Sequence, residues 1–453
     1  MRKKVIKKRV YKERRFALIF ILIFIVIFLF SLRFFSFNPQ NENVKIYFYE
    51  KKSNELVFEK RVIPKYRNLT EKIKRLVEEV IKGPKSETLE KVVDPNTKIL
   101  SIDIDKDRVI ISFSKDIKNR VLEGVSGEAA SLYSIVNTII GNTSLRSVDI
   151  LIENKRENFY WESISISSPL GFLSSKIPSG KKIFLYYYDK NLEYPVLIQS
   201  EIQEPKDNLE WAKLIFDKLK SGPPTIYENY LSKTIPDIAT LKEIKIEGDK
   251  VILNFSPDIL SYKGFGSSSE IAFMYSITLS MTEIPGIKKV QFLVDGKIVE
   301  TIGGNFETLK PITRWYYDLN PPPENMYGYP IYFVLKIDDK FFISPQIVFT
   351  NKKDEAKLIF DKLLTPIKPL ETFIPNGAKL NSYSIKNEIL SLDIALDPSK
   401  IDSKEKEEFM MKQILLTYFD SMNVKEINIS INGKKIKLPF GTDLTKSFTK
   451  DSL

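Results

Sequence analysis

The chain contains no histidine and no cysteine. Those absences remove the commonest general base, the commonest transition-metal ligand, the thiol nucleophile and any zinc–thiolate site. Any chemistry must come from Asp, Glu, Lys, Ser or Tyr. Asp103, Asp105 and Asp107 in DIDKD have the spacing of a calcium loop. The sixth position is Arg108 instead of Gly, however, and the twelfth is Ser114 instead of Glu. KGFGSSSE, residues 263–270, places Gly-x-Gly before a helix start, an arrangement that can cradle phosphate. It lacks the G-K-[ST] ending of a P-loop and the third Gly of a dinucleotide fingerprint. Ser-x-x-Lys begins at Ser112, Ser179 and Ser447, without the accompanying motifs of a Ser–Lys hydrolase. No catalytic residue, metal or cofactor is assigned, and the chain is not expected to be an enzyme.

A different kind of site is offered by TRWYYDLNPPPENMYGYP, residues 313–330. Trp315, Tyr316 and Tyr317, with Tyr327 and Tyr329, surround a three-proline run. Exposed aromatic rings stack on sugars, so Trp315, Tyr316 and Tyr317 are a candidate ligand or partner surface. The competing reading packs these rings against neighbouring domains, with the prolines as a stiff spacer.

Net charge is +11, but residues 1–33 hold ten Lys/Arg against Glu13, a net of +9, leaving +2 for everything after. Nucleic-acid binding by a broad basic surface therefore loses its main support. The basic cluster precedes FALIFILIFIVIFLFSL, residues 16–32, which carry no charge. At 1.5 Å per residue this run spans roughly 25 Å, enough for a membrane helix if Arg33 reaches the interface. The preceding cations orient the N-terminus to the cytoplasm. A cleaved signal peptide is the alternative, but no Ala-x-Ala-like site follows.

These features stand on a repeated frame. AKLIFDKL occurs twice, at residues 212–219 and 356–363. Around each copy, and around IKRLVEEVIKGPK at 73–85, the same segments recur in the same order. Three tandem units of roughly 110–125 residues result, the size of a domain. In each, an apolar stripe predicts a first helix: Ile73, Leu76, Val77 and Val80, or Ala212, Ile215, Phe216 and Leu219. Gly83-Pro84 and Gly222-Pro223 end two of these helices; the third copy has Thr365-Pro366. Period-2 alternation at Val109/Ile111/Phe113, Val251/Leu253/Phe255 and Leu390/Leu392/Ile394 predicts hairpin strands turning at Lys106-Asp107, Gly248-Asp249 and Lys386-Asn387. A second helix, with Ser267-x-x-Glu270 as a capping box in the middle copy, leads to a last strand.

The order of elements resembles the GerM-type domain of sporulation and spore germination. The resemblance rests on the VKIYFY-like first strand, KGP (Lys82, Gly83, Pro84) or SGP (Ser221, Gly222, Pro223), and the DP or IP before the hairpin. FS at its close (Phe113-Ser114, Phe255-Ser256), YSIVNTI and VDG complete it. The third copy lacks the GP and FS marks. The resemblance implies an extracytoplasmic, non-enzymatic domain similar to the modules that build envelope-spanning rings.

The expected architecture is α+β: a transmembrane helix followed by three tandem two-layer sandwich domains, each with about five strands and two helices on one face. Residues 1–15 are a basic cytoplasmic tail, 16–35 the anchor, 44–155 repeat one, 156–180 a linker and 181–304 repeat two. Residues 305–328 are a Pro/aromatic linker, 329–440 a divergent repeat three and 441–453 a tail. The expected function is a single-pass scaffold of the cell envelope, N-terminus cytoplasmic and repeats outside. Its partners are the cytoplasmic membrane and envelope proteins or further copies of itself; peptidoglycan or peptide binding is the alternative, and no nucleic acid is expected.

Overall fold

The computed structural model describes residues 21–23, 25–26, 40–174, 176–314, 323–351, 356–422 and 424–453. Within the charge-free N-terminal run, Ile21, Leu22, Ile23, Ile25 and Val26 are helical and exposed. Among the described residues no helix is long and apolar enough to cross a membrane, and most of the expected anchor at 16–35 lies outside them. The chain divides into two units, residues 1–161 with 166–177, and residues 162–165 with 178–453.

The first unit opens with an antiparallel hairpin, β1 (Asn41–Glu50) and β2 (Glu55–Pro64). Helix α1 (Leu69–Lys82) follows, its first turn capped by the Asn68 side chain, which accepts from the Thr70 amide. Ile73, Leu76, Val77 and Val80 are buried, as their spacing predicts. Gly83 takes φ +88°, a conformation costly for any side chain, and its amide closes the helix on the Val80 carbonyl. Strands β3 (Ile99–Asp105) and β4 (Arg108–Phe113) form a hairpin turning at Lys106-Asp107. There Asp105 pairs with Arg108 and Asp107 with Arg146, so two of the three DIDKD carboxylates hold cationic partners around a turn. Helix α2 (Gly124–Ile140) crosses over to β5 (Ser147–Ile152), which lies parallel to β4, as a long crossover requires.

The second unit runs through this plan twice. Its first pass is β6 (Gly180–Asp189), β7 (Pro195–Gln203), α3 (Asn208–Ser221), β8 (Leu231–Ser232), β9 (Leu241–Glu247), β10 (Lys250–Phe255), α4 (Ser267–Met281), β11 (Lys289–Val294) and β12 (Ile312–Thr313). Its second is β13 (Tyr327–Ile337), β14 (Lys340–Thr350), α5 (Ala356–Leu363), β15 (Leu370–Glu371), β16 (Lys379–Lys386), β17 (Ile389–Ala395), α6 (Lys404–Ser421) and β18 (Glu426–Ile431). The repeated octamer forms the core of α3 and the whole of α5. It buries Ala212, Ile215, Phe216 and Leu219 in one, and Ala356, Ile359, Phe360 and Leu363 in the other.

The α+β class holds, but the expected single five-stranded sheet with both helices on one face does not. Each repeat carries a hairpin and a separate three-stranded core: β3-β4-β5, β9-β10-β11 or β16-β17-β18. The cause lies in the second helix. Helix α2 buries 13 of its 17 residues, so it must be covered on more than one side. The hydroxyls that suggest a solvent face are themselves inside. Thr138, Ser280 and Thr417 accept the amides of Tyr47, Tyr186 and Tyr332 at 3.0, 2.9 and 2.9 Å. Each bond ties the outer edge of a hairpin's first strand to the second helix, satisfying backbone donors that burial would otherwise orphan.

In the second unit the two hairpins do not stay apart. They join in one six-stranded sheet, order β15-β13-β14-β7-β6-β8, through an antiparallel bridge between Leu197 of β7 and Ile343 of β14. Repeats two and three share one core there, with Phe184, Tyr186, Leu197, Tyr332, Val334 and Ile343 from the sheet against Leu279 and Leu416 from the helices.

Candidate functional site

Each repeat sends the chain back after its last strand, antiparallel to it. Leu170 meets Val148, Ile312 meets Val290 and Phe448 meets Ile427. Two residues further on stand Phe172, Arg314 and Lys450, which therefore occupy equivalent positions. In repeats two and three these positions, with Glu283 two residues past the end of α4 and Asp420 in the last turn of α6, build a largely buried cluster at the junction.

Arg314 donates to Asp420 Oδ2 at 3.0 Å, to the Leu279 carbonyl at 2.7 Å, to Thr282 Oγ1 at 2.9 Å, and to Glu283. Lys450 Nζ lies 2.7 Å from Asp420 Oδ1 and 3.0 Å from Glu283 Oε2. The Tyr186 and Tyr332 hydroxyls are 3.0 Å apart; the first donates to Glu283 and the second to Asp420. Two cations and two carboxylates balance, each acid touching a base from both repeats. Burial opposes ionisation of Asp420, but Arg314 and Lys450 outweigh it and hold its carboxyl well below the usual carboxylate range. Arg314 stays charged against its own burial because Asp420 and Glu283 face it. Burial pushes both phenols well above their ordinary value. At neutral pH the tyrosines are therefore donors, Asp420 is ionised, both carboxyl groups are paired with bases, and the arrangement joins two domains.

Beside the cluster a cavity of about 240 Å³ is lined by Phe184, Leu197, Phe341, Phe409 and Lys412. It falls below the roughly 300–1,000 Å³ of ordinary ligand pockets. Burial lowers the Lys412 ammonium, as an apolar wall does to a charge.

Repeat one presents the same positions with different chemistry. Tyr47 stands for Tyr186, Gly141 falls where the acids lie, and Phe172 replaces the base. The Phe172 ring packs edge-on against Tyr47 at 5.6 Å, and Asn137 clamps the Leu173 backbone through two hydrogen bonds of 2.8 and 2.9 Å. An apolar face results where repeats two and three hold an ionic one.

Trp315, Tyr316 and Tyr317 lie outside the described residues, immediately after the half-buried Arg314. Tyr327 and Tyr329 belong to β13, the first exposed and the second buried. Trp161 is also buried, stacked on Tyr160, with its indole N–H on the Ile117 carbonyl. The capping box expected from Ser267 and Glu270 is not formed. Gly266 is the N-cap and Ser269 bonds its amide, while the buried Glu270 carboxylate accepts from the amides of Gly303 and Asn305. Glu128 accepts the Trp161 amide and Glu407 those of Phe440 and Thr442. A buried acid in the first part of every second helix thus fastens the returning chain. Its identical place in GE, SE and KE was the available sequence signal. Arg314 and Lys450 have no such signal within their own segments; only the threefold alignment brings them together.

A family model described as "Germane: Sporulation and spore germination" matches residues 45–158, 184–300 and 330–437. Of the curated proteins, none matches the chain. Among solved structures, it is similar to the tandem GerMN domains of the sporulation protein GerM from Bacillus subtilis. Identity is 22% over 56% of this chain and 92% of that one, with a TM-score of 0.46. A putative lipoprotein from Clostridium perfringens is similar at 27% identity over 29% of this chain and 87% of its own, with a TM-score of 0.22.

Proposed function

The chain belongs to the Germane family of sporulation and spore germination domains, with three copies in tandem, and from that premise we propose that it is a membrane-anchored scaffold of the cell envelope that works by protein–protein interaction. The observation that carries this reading is the junction of repeats two and three. There the domain binds another copy of itself, strand to strand through Leu197 and Ile343, and seals the contact with paired ions. A fold that recognises its own kind within one chain is suited to recognise it between chains. The paired state of every acid and base at that junction supports binding over catalysis as its work.

The anchor reading rests on the sequence. The charge-free run at 16–32 behind nine Lys/Arg supports an N-terminus in the cytoplasm and repeats outside it. Sedimentation velocity on residues 36–453 over a wide concentration range tests assembly. Discrete higher species of closed stoichiometry are expected. A monomer throughout would sink self-assembly and shift the function to wall or partner binding, with Trp315, Tyr316 and Tyr317 as the first residues to replace.

A further inference from the structure

Two of the three hairpins spend the outer edge of their second strand on each other; the third does not. Strand β7 pairs with β14, whereas among the described residues β2 has β1 alone as a neighbour in its sheet. The register shows which residue of β2 corresponds to the contact. Leu197 lies opposite Tyr186, and Phe58 lies opposite Tyr47. Tyr47 and Tyr186 both turn their amides outward to a helix hydroxyl, so each belongs to a non-hydrogen-bonded pair. The opposite residue of such a pair turns its own N–H and C=O outward on the other side. Leu197 uses those groups toward β14. Those of Phe58 point from the open edge of β2.

The surroundings of that edge are largely apolar, with the Lys45 ammonium 4.9 Å over the Phe58 ring. Phe58 is 39% exposed and Val62 63%, with Val57 beside them. The Phe58 ring packs on Tyr47 at 5.7 Å, and Phe172 extends the patch. At the equivalent place in repeats two and three the partner repeat covers the tyrosine, bringing an acid and a base. In repeat one Gly141 and Phe172 remove both charges. An open strand edge beside exposed apolar side chains is a template for pairing, although Lys60 on the same strand moderates it.

We propose that the outer edge of β2, centred on Phe58, docks a second copy of this chain, second strand against second strand as at the junction of repeats two and three, with the register set by two-fold symmetry instead of copied from that junction, where Leu197 meets Ile343 and not Pro345, the residue opposite Tyr332. The inference rests on the assembly reading above and names its surface. The occupant follows from the chain itself: the other two copies of this edge are each covered by a copy of the same domain. Antiparallel pairing about a two-fold axis through Phe58 sets Phe58 against its own counterpart, with Leu56 opposite Lys60.

The test uses the full chain in detergent. Because it contains no cysteine, a single Phe58→Cys faces its twin at cross-strand distance and should oxidise rapidly to a covalent dimer. Ile226→Cys, on the exposed surface of the second unit, serves as the control. Phe58→Lys and, separately, Val62→Lys should weaken self-association at least about tenfold in sedimentation, with circular dichroism unchanged. Val62 is exposed enough that its replacement does not depend on the core. Self-association that neither lysine variant alters, with Phe58→Cys no faster than Ile226→Cys, would overturn the β2 site and leave assembly standing. A wild-type chain that is monomeric at every concentration would overturn both.

Discussion

Arg314 shows how much a single side chain can be asked to hold. Its guanidinium reaches Asp420, Glu283, Thr282 and the Leu279 carbonyl at once, in a setting where removing one partner of an ion pair leaves the others buried and uncompensated. Replacing it by Met should therefore cost about 3–5 kcal/mol, the usual penalty for a broken buried pair, read as a lowered denaturation midpoint. Asp420 adds a pH dependence. Its carboxyl is held below its unfolded value, so its contribution is complete above about pH 4 and is lost as pH falls through the depressed folded value. Stability measured between pH 2 and 5 should fall toward acid, and Asp420→Asn should flatten that fall. Neither residue stands out by composition. Arg314 sits in a stretch that reads as a linker and Lys450 in one that reads as a tail, and burial, which gives them meaning, is not written in either.

At the scale of elements the first helices were legible, because one apolar stripe at 3.6-residue spacing admits one reading. The α1 and α3 ends were equally plain, since Gly before Pro states both the backbone conformation and the stop. The second helices were legible as helices, but their burial was not. Their mixture of small hydroxyls and apolar residues implies a wet face, yet Ser131, Ser134, Ser276 and Thr417 are all fully buried. Ser131, Ser276 and Thr417 are inside because they bond backbone or neighbouring side chains, which no periodicity reports. Glu270 belongs to the same class. Substituting Gln keeps its shape but not its charge, and should cost on the order of 1–3 kcal/mol. Hydrogen exchange should localise the loss, with the Gly303 and Asn305 amides exchanging faster while the β10 and β11 amides stay protected. Uniform acceleration across the unit would contradict the local role given to this acid.

For the molecule as a whole, the sequence singles out the third copy as divergent, since it lacks the GP and FS marks; structurally the odd one is the first. Repeats two and three share a sheet and a core, so a fragment ending near residue 310 would uncover Tyr186, Leu197 and Leu279 together. Such a fragment should melt without a sharp transition, whereas residues 178–453 should unfold cooperatively by circular dichroism. What escaped sequence reading was the relation between repeats, because a strand edge is spent on a distant segment without any change in its own alternation. The hydroxyl bonds at Tyr47, Tyr186 and Tyr332 then carry an arithmetic consequence. Each hairpin has its first-strand edge tied down, so it can join one neighbour of its own kind and no more. Three such modules in one chain satisfy each other in one pair and leave one over. If β2 pairs as proposed, the described strands leave the chain a single such edge, and a unit with one edge that pairs with its like terminates at two instead of growing into a fibre.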